Sequence, residues 1–274
     1  MVKRLFLAAT NRIVKCIMRL VPRKYELPII YYKYRVIGMF DEEILMLPKL
    51  IAKGGMAVDV GANIGLYSYV LSKLCDTVEA FEPVPGNLRV LQAYNAANIN
   101  THEVALSSAE GQATLNIPTE NNVTIYGHAS LSTQFAKQKA LEVATKKLDD
   151  FNFTNIRFIK IDVEGHELEV IRGAKDTIER WRPVMLIEID QQQLSFPIKT
   201  VFEEILACGY KGFFLYHNRL HSIADFSVDN YQKKEFAGKC RNKMKYVNNF
   251  LFMPDNKPSP EIVTVLTNNS EHSA

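Results

Sequence analysis

An α/β fold wound around a mostly parallel sheet is predicted by three stretches of this chain, each an apolar strand that turns into a helix. The first, residues 56–69 (MAVDVGANIGLYSY), is apolar up to Val60 except for Asp59, then turns through Gly61 and Gly65 into a helix carrying Leu66, Tyr69 and Val70. The second, residues 77–82, ends in Glu82 ahead of a turn from Pro83 to Pro85. The third, residues 156–162, ends in Asp162-Val-Glu-Gly-His-Glu and leads into a helix with Leu168, Ile171, Ala174 and Ile178 at helical spacing. Doubly wound sheets bind ligands beyond the carboxyl ends of their strands, where strand order reverses. Asp162 and Glu164 are therefore expected to share one crevice with Gly61.

Taken in order, residues 2–20 set Lys3, Arg4, Arg12, Lys15 and Arg19 among Leu5, Phe6, Ala9, Ile13, Ile17 and Leu20. That is the pattern of a basic amphipathic helix, which either packs on the core or touches an anionic membrane peripherally. Residues 27–40, rich in tyrosine and β-branched side chains, predict a strand or two over the site, with Tyr31, Tyr32 and Tyr34 covering a core edge or lining an acceptor pocket. A helix follows over 42–52. Residues 1–53 thus read as an N-terminal extension and 54–253 as the main domain. Residues 254–274, where proline, asparagine and serine take over, read as a disordered tail.

Within the main domain Asn63 is expected to cap the helix after the glycine turn. Further helices are predicted over 86–97 and 198–208, and further strands over 101–106, 111–117, 143–148, 183–189, 211–216 and 246–253. The polar stretch 118–128 predicts a loop at the mouth of the site that selects the acceptor. Ser130, Glu188, His217 and His221 are lesser candidates, each with an ordinary structural role as the alternative.

The ligand is narrowed by elimination. A nicotinamide-type loop needs glycine where this one has Asn63 and Leu66, and a P-loop needs Gly-Lys-Ser or Gly-Lys-Thr, which does not follow Gly65. What remains is D-x-G-A-N-x-G followed by a second strand ending in a carboxylate, placed to accept hydrogen bonds from ribose hydroxyls. Asp59 and Glu82 together point to a nucleoside without a pyrophosphate.

VDVGANIG, FEPVPGN, VALS and KIDVEGHELEVIRGA, in this order, resemble the FkbM family of S-adenosylmethionine-dependent methyltransferases. The resemblance covers roughly residues 40–255, and it implies a Rossmann-like class I methyltransferase sheet of seven mostly parallel strands. It further implies S-adenosyl-L-methionine as cofactor and O-methylation of a hydroxyl on a sugar, glycan or natural product. Carried over, Asp59, Gly61, Ala62, Asn63 and Gly65 line the methionine end and Glu82 the ribose, while Ala105 and Leu106 flank the adenine. The chemical end falls to Asp162, Glu164 and His166 as candidate acid–base groups. Two other readings stay open: metal-assisted O-methylation, and a nucleoside-binding module without catalysis.

Composition sets the remaining limits. A formal net charge of +3 with scattered basic residues does not call for a nucleic-acid partner. Cys16, Cys75, Cys208 and Cys240 have no metal-ligand spacing and read as reduced thiols of a cytoplasmic protein. Lys33 and Arg35 interrupt the longest apolar run, so no membrane span is expected, and the partner is expected to be a small-molecule or glycan acceptor.

Overall fold

A computed structural model describes residues 20–37, 42–51, 53–120, 123–124, 127, 129–133, 137–217, 219–233 and 246–256. The amphipathic helix predicted over 2–20 and most of the tail lie outside these residues.

The chain enters through α1 (Glu26–Ile37) and α2 (Glu42–Leu50), then builds β1 (Met56–Val60), α3 (Leu66–Leu71), β2 (Thr77–Phe81), α4 (Pro85–Tyr94) and β3 (Ile99–His102). Next come β4 (Ala105–Leu106), β5 (Gly111–Glu120), β6 (Val123–Thr124) and β7 (Gln138–Lys146). The last third holds β8 (Ile156–Ile161), α5 (Glu167–Arg172), α6 (Lys175–Trp181), β9 (Val184–Glu188) and α7 (Lys199–Ala207). It closes with β10 (Tyr210–Tyr216), β11 (Arg219–Ser222), α8 (Val228–Tyr231) and β12 (Asn249–Pro254).

The main sheet runs β11-β10-β12-β9-β8-β1-β2-β3. Strands β3, β2, β1, β8 and β9 are parallel, and β12, β10 and β11 join antiparallel. The chain winds outward from β1 to β3 and later returns to start the other half at β8, so the switch point lies between β1 and β8. Alternate residues feed two cores. Val58, Val60, Ile159, Ile161, Met185 and Ile187 pack with α5, α6 and α7, whereas Ala57, Val78, Ala80, Phe158 and Leu186 pack with α1 to α4. Asp59 and Lys160 sit in the same alternation as Ala57 and Phe158, each 1% exposed.

Several expectations are corrected here. Residues 27–37 do not form the expected strand, and 38–40 lie outside the described residues: Leu27 and Tyr31, one helical turn apart, bury one face of α1, and this packing outweighs the β propensity of the tyrosines. Pro28 is tolerated because it falls in the helix's first turn, where its missing N–H is an orphan anyway. The sheet has eight strands rather than seven, because β11 pairs antiparallel with β10 at the edge. The strand expected over 101–106 divides, β3 staying in the main sheet while β4 leaves for a second sheet of order β4-β7-β5-β6. That sheet takes up the segment 111–117, the expected strand 143–148 as far as Lys146, and part of the loop expected over 118–128. The helix expected to run past Ala174 breaks into α5 and α6 at Gly173, where an added Cβ would lie 2.0 Å from the carbonyl oxygen of Ser107.

Candidate active site

A cavity opens at the carboxyl ends of β1, β2, β8 and β9, roofed by β4 and β5 of the second sheet and by Gly127, Ala129 and Leu131. Of the predicted site residues Gly61, Asn63, Glu82, Ala105, Leu106, Asp162, Glu164 and His166 line it, as does Glu188. Asp59, Ala62 and Gly65 do not.

The glycine turn is shaped by neighbouring backbone. Gly61 has φ +78°, and a Cβ there would fall 1.8 Å from the carbonyl oxygen of Asp162, so the ends of β1 and β8 meet only because this residue has no side chain. Gly65 leaves room for Leu91 of α4, 2.5 Å from where its Cβ would be. It occupies the N-cap of α3, correcting the assignment of that role to Asn63, which instead adopts φ 51° within the turn. The N–H groups of Gly61 and Ala62 both donate to Phe81 O, that of Gly65 to Ala62 O and that of Asn63 to Glu82. The amides of the glycine turn are therefore spent largely on the protein itself.

Asp59 lies beneath the turn and accepts a 2.5 Å hydrogen bond from Ser68 Oγ, tying β1 to α3. Burial pushes its carboxyl up to about 6, opposed by the Ser68 bond and the charge of Lys160.

Glu82 is held at the end of β2 by three donors. Its Oε2 accepts from Asn63 N–H at 2.9 Å, and its Oε1 from Val84 N–H at 2.9 Å and Asn87 Nδ2 at 3.3 Å. A carboxylate offers about four lone-pair sites, so Oε2 retains capacity for a further donor such as a hydroxyl. Burial pushes the carboxyl up to about 7 against these three donors, with the charge of Asp59 adding to the rise. Phe81, Val104, Leu106 and Leu115 give the neighbouring wall an apolar surface.

At the end of β8, Asp162 lies 3.7 Å from the Nζ of Lys160, which also donates to Ile161 O and Asn249 Oδ1 and sits 5.1 Å over the Tyr67 ring. Glu164 adopts φ 55°, which a non-glycine residue occupies at a cost of about 1–2 kcal/mol. The surroundings enforce it. Its side chain accepts from Gln193 Nε2, and its carbonyl accepts from Ser130 Oγ and Thr133 Oγ1. Ser130, fully buried, thereby pins the second sheet's loop to the Asp162–Glu164 turn. Glu167 closes the same turn from below: Oε1 accepts from Gly165 N–H at 2.9 Å, Oε2 has no hydrogen-bond partner, and burial pushes the carboxyl up to about 7.

His166 bridges two serines, with Nε2 2.9 Å from Ser107 Oγ and Nδ1 2.8 Å from Ser132 Oγ. Burial lowers its pKa below the usual imidazole value, so it stands neutral, one nitrogen donating and the other accepting. Both ring nitrogens are engaged within the protein. His217 and His221 do not line the cavity.

Lys160, Ser132 and Gln193 were not singled out by the sequence. Lys160 alone left a signal, as a charged residue inside the apolar strand IRFIKI.

The chain is thus a doubly wound sheet with its cavity at the switch point and carboxylates at the ends of β2 and β8. The methyltransferase FkbM domain family matches residues 59–211. Methyltransferase 1 of Beauveria bassiana is 26% identical over 174 residues, covering 53% of this chain and 69% of that protein. Methyltransferase sdnD of Sordaria araneosa is 28% identical over 204 residues, covering 61% and 77%. The crystal structure of an FkbM methyltransferase from Methylobacillus flagellatus superposes with a TM-score of 0.48 at 16% identity, over 85% of this chain and 55% of that one. The chain belongs to the FkbM methyltransferase family.

Proposed function

We propose that this methyltransferase uses S-adenosylmethionine and methylates a hydroxyl of a sugar, glycan or natural product. One observation carries the reading: four carboxylates, Glu82, Asp162, Glu164 and Glu188, line the cavity, and among the described residues no lysine or arginine does. Such a wall suits a cationic sulfonium and a neutral polyhydroxyl acceptor, and it repels a pyrophosphate. The cavity's residues fit the nucleoside, with the free capacity of Glu82 Oε2 for a ribose hydroxyl and Phe81, Val104 and Leu106 for the base.

S-adenosylmethionine supplies an activated methyl group on sulfur, so the protein's task is chiefly alignment of the two reactants. The acceptor hydroxyl must also shed its proton as it reacts. That proton is assigned to Asp162, steadied by Lys160, or Glu164, steadied by Gln193, a contribution of typically about 10²- to 10⁴-fold. Neutral His166 orients the turn that carries them through Ser107 and Ser132.

The test is incubation with methyl-labelled S-adenosylmethionine and a panel of glycans, lipid-linked sugars and hydroxylated natural products. Label is expected in an alkali-stable ether on a neutral acceptor. Label only in amines, carboxylates or nucleic acid would overturn the reading.

A further inference from the structure

The outer face of α1 carries an apolar and aromatic stripe. Ile29, Tyr32 and Val36 fall at i, i+3 and i+7, which is one side of the helix, and Tyr25 stands in the 3-10 turn (Arg23–Tyr25) just before it. The opposite side is buried, with Leu27 and Tyr31 packed in the core that contains Tyr69, Val70 and Leu91. Tyr25 is 48%, Tyr32 54% and Val36 72% exposed, and Leu20, shortly before the helix, is 85% exposed. These are four of the six large apolar side chains that the described residues leave exposed, so the concentration marks a contact surface rather than scatter.

The charges around the stripe are mostly basic, with Glu26 the one acidic residue of α1. Arg23 and Lys24 precede the helix, Arg35 is exposed on one side of the stripe, and Lys33 follows Tyr32 with its Nζ 5.5 Å over the Tyr34 ring. Lys24 Nζ lies 5.2 Å over the Tyr25 ring, so ammonium and aromatic face are presented together. Among residues 1–37 nine lysines and arginines stand against one acidic residue, Glu26, in a chain whose net charge is only +3. The rest of the chain is therefore net acidic, and the basic residues that look scattered in a whole-chain count are concentrated at this end.

We propose that this face of α1 seats the protein peripherally on an anionic lipid bilayer. Tyrosines and aliphatic side chains on one stripe, flanked by long basic side chains, match the boundary between headgroups and acyl chains, where rings and methyls enter and cations stay with the phosphates. A second copy of the chain would set like charges against each other. Nucleic acid would gain little from Leu20, Ile29 and Val36, which offer no stacking surface. Among the described residues no helix is long and apolar enough to cross a membrane. The inference does not depend on the identity of the methyl acceptor.

The experiment is co-sedimentation of the full chain with vesicles of phosphatidylcholine alone or mixed with phosphatidylserine, at low and high salt. Binding is expected only to the mixed vesicles, falling as salt rises. Each basic side chain near the surface multiplies partitioning by about fivefold, so Lys33→Glu with Arg35→Glu should weaken it by at least about 25-fold. Val36→Ser should also weaken it, and both variants should melt like the parent. In the unmodified chain, hydrogen exchange on vesicle addition should slow within residues 20–36, a readout independent of any variant's folding. Equal binding to neutral vesicles, no binding to either, variants that bind like the parent, or protection confined to other residues would overturn the proposal. So would displacement of the vesicles by RNA, or a dimer that Val36→Ser dissolves.

Discussion

Glu82→Gln tests the ribose end of the site with little change of shape. The buried carboxyl titrates at about 7, and its ionised form is the one that three protein donors and a ribose hydroxyl favour. A group with that pKa is about nine-tenths ionised at pH 8 and about one-tenth at pH 6, so the Kd for S-adenosylhomocysteine should rise about tenfold across that interval. The glutamine amide cannot accept from both Asn63 N–H and Val84 N–H. One backbone donor is left unsatisfied, at a cost of about 1–3 kcal/mol. Calorimetric titration of parent and variant at several pH values is the assay. The variant should bind more weakly at pH 8 and lose the pH dependence between 6 and 8. A flat profile in the parent, or the same slope in the variant, would refute the role given to Glu82.

Asp162→Asn and Glu164→Gln should each leave cofactor affinity within a few fold while the carboxylate that serves as base loses at least about 10²-fold in kcat; parent-like turnover in both would place the base elsewhere. His166→Ala should lower kcat without moving its pH profile, because the imidazole is already neutral and engaged by Ser107 and Ser132; loss of an acid limb near pH 6–7 would show that it takes protons itself. Stability should fall as pH rises from 5 to 8. Asp59, Glu82 and Glu167 have folded values of about 6, 7 and 7, above their ordinary ones, so the folded state retains protons that the unfolded chain has released. Each shift is worth on the order of 3 kcal/mol, fully present below the unfolded values and lost as pH passes the folded ones. A higher Tm at pH 8 than at pH 5 by calorimetry would contradict this.

The parts legible in the sequence were those carried by local pattern. Strand 56–60 with its glycine turn, and strands 77–81 and 156–161 with the carboxylates that follow them, are continuous apolar runs with clear punctuation, and the structure has β1, β2 and β8 there. What failed was set by tertiary contacts. In residues 27–37 propensity and helical spacing disagree, and burial of Leu27 and Tyr31 decides for helix. The division of 101–106 and the break at Gly173 depend on a second sheet and on Ser107, which are distant in the chain. The resemblance sets Gly65 at the methionine end, whereas its contact is Leu91 and it does not line the cavity. The serine bridge of His166 joins residues 34 and 59 positions away, a pairing without any local signature.

Calorimetric titration of the unmodified protein with S-adenosylmethionine, and with NAD as comparison, tests the central claim most directly. The account predicts one saturable site for S-adenosylmethionine, weakened by Glu82→Ala, and no measurable binding of NAD to a cavity walled by four carboxylates. Tighter binding of NAD, or no S-adenosylmethionine binding at millimolar concentration, would contradict it.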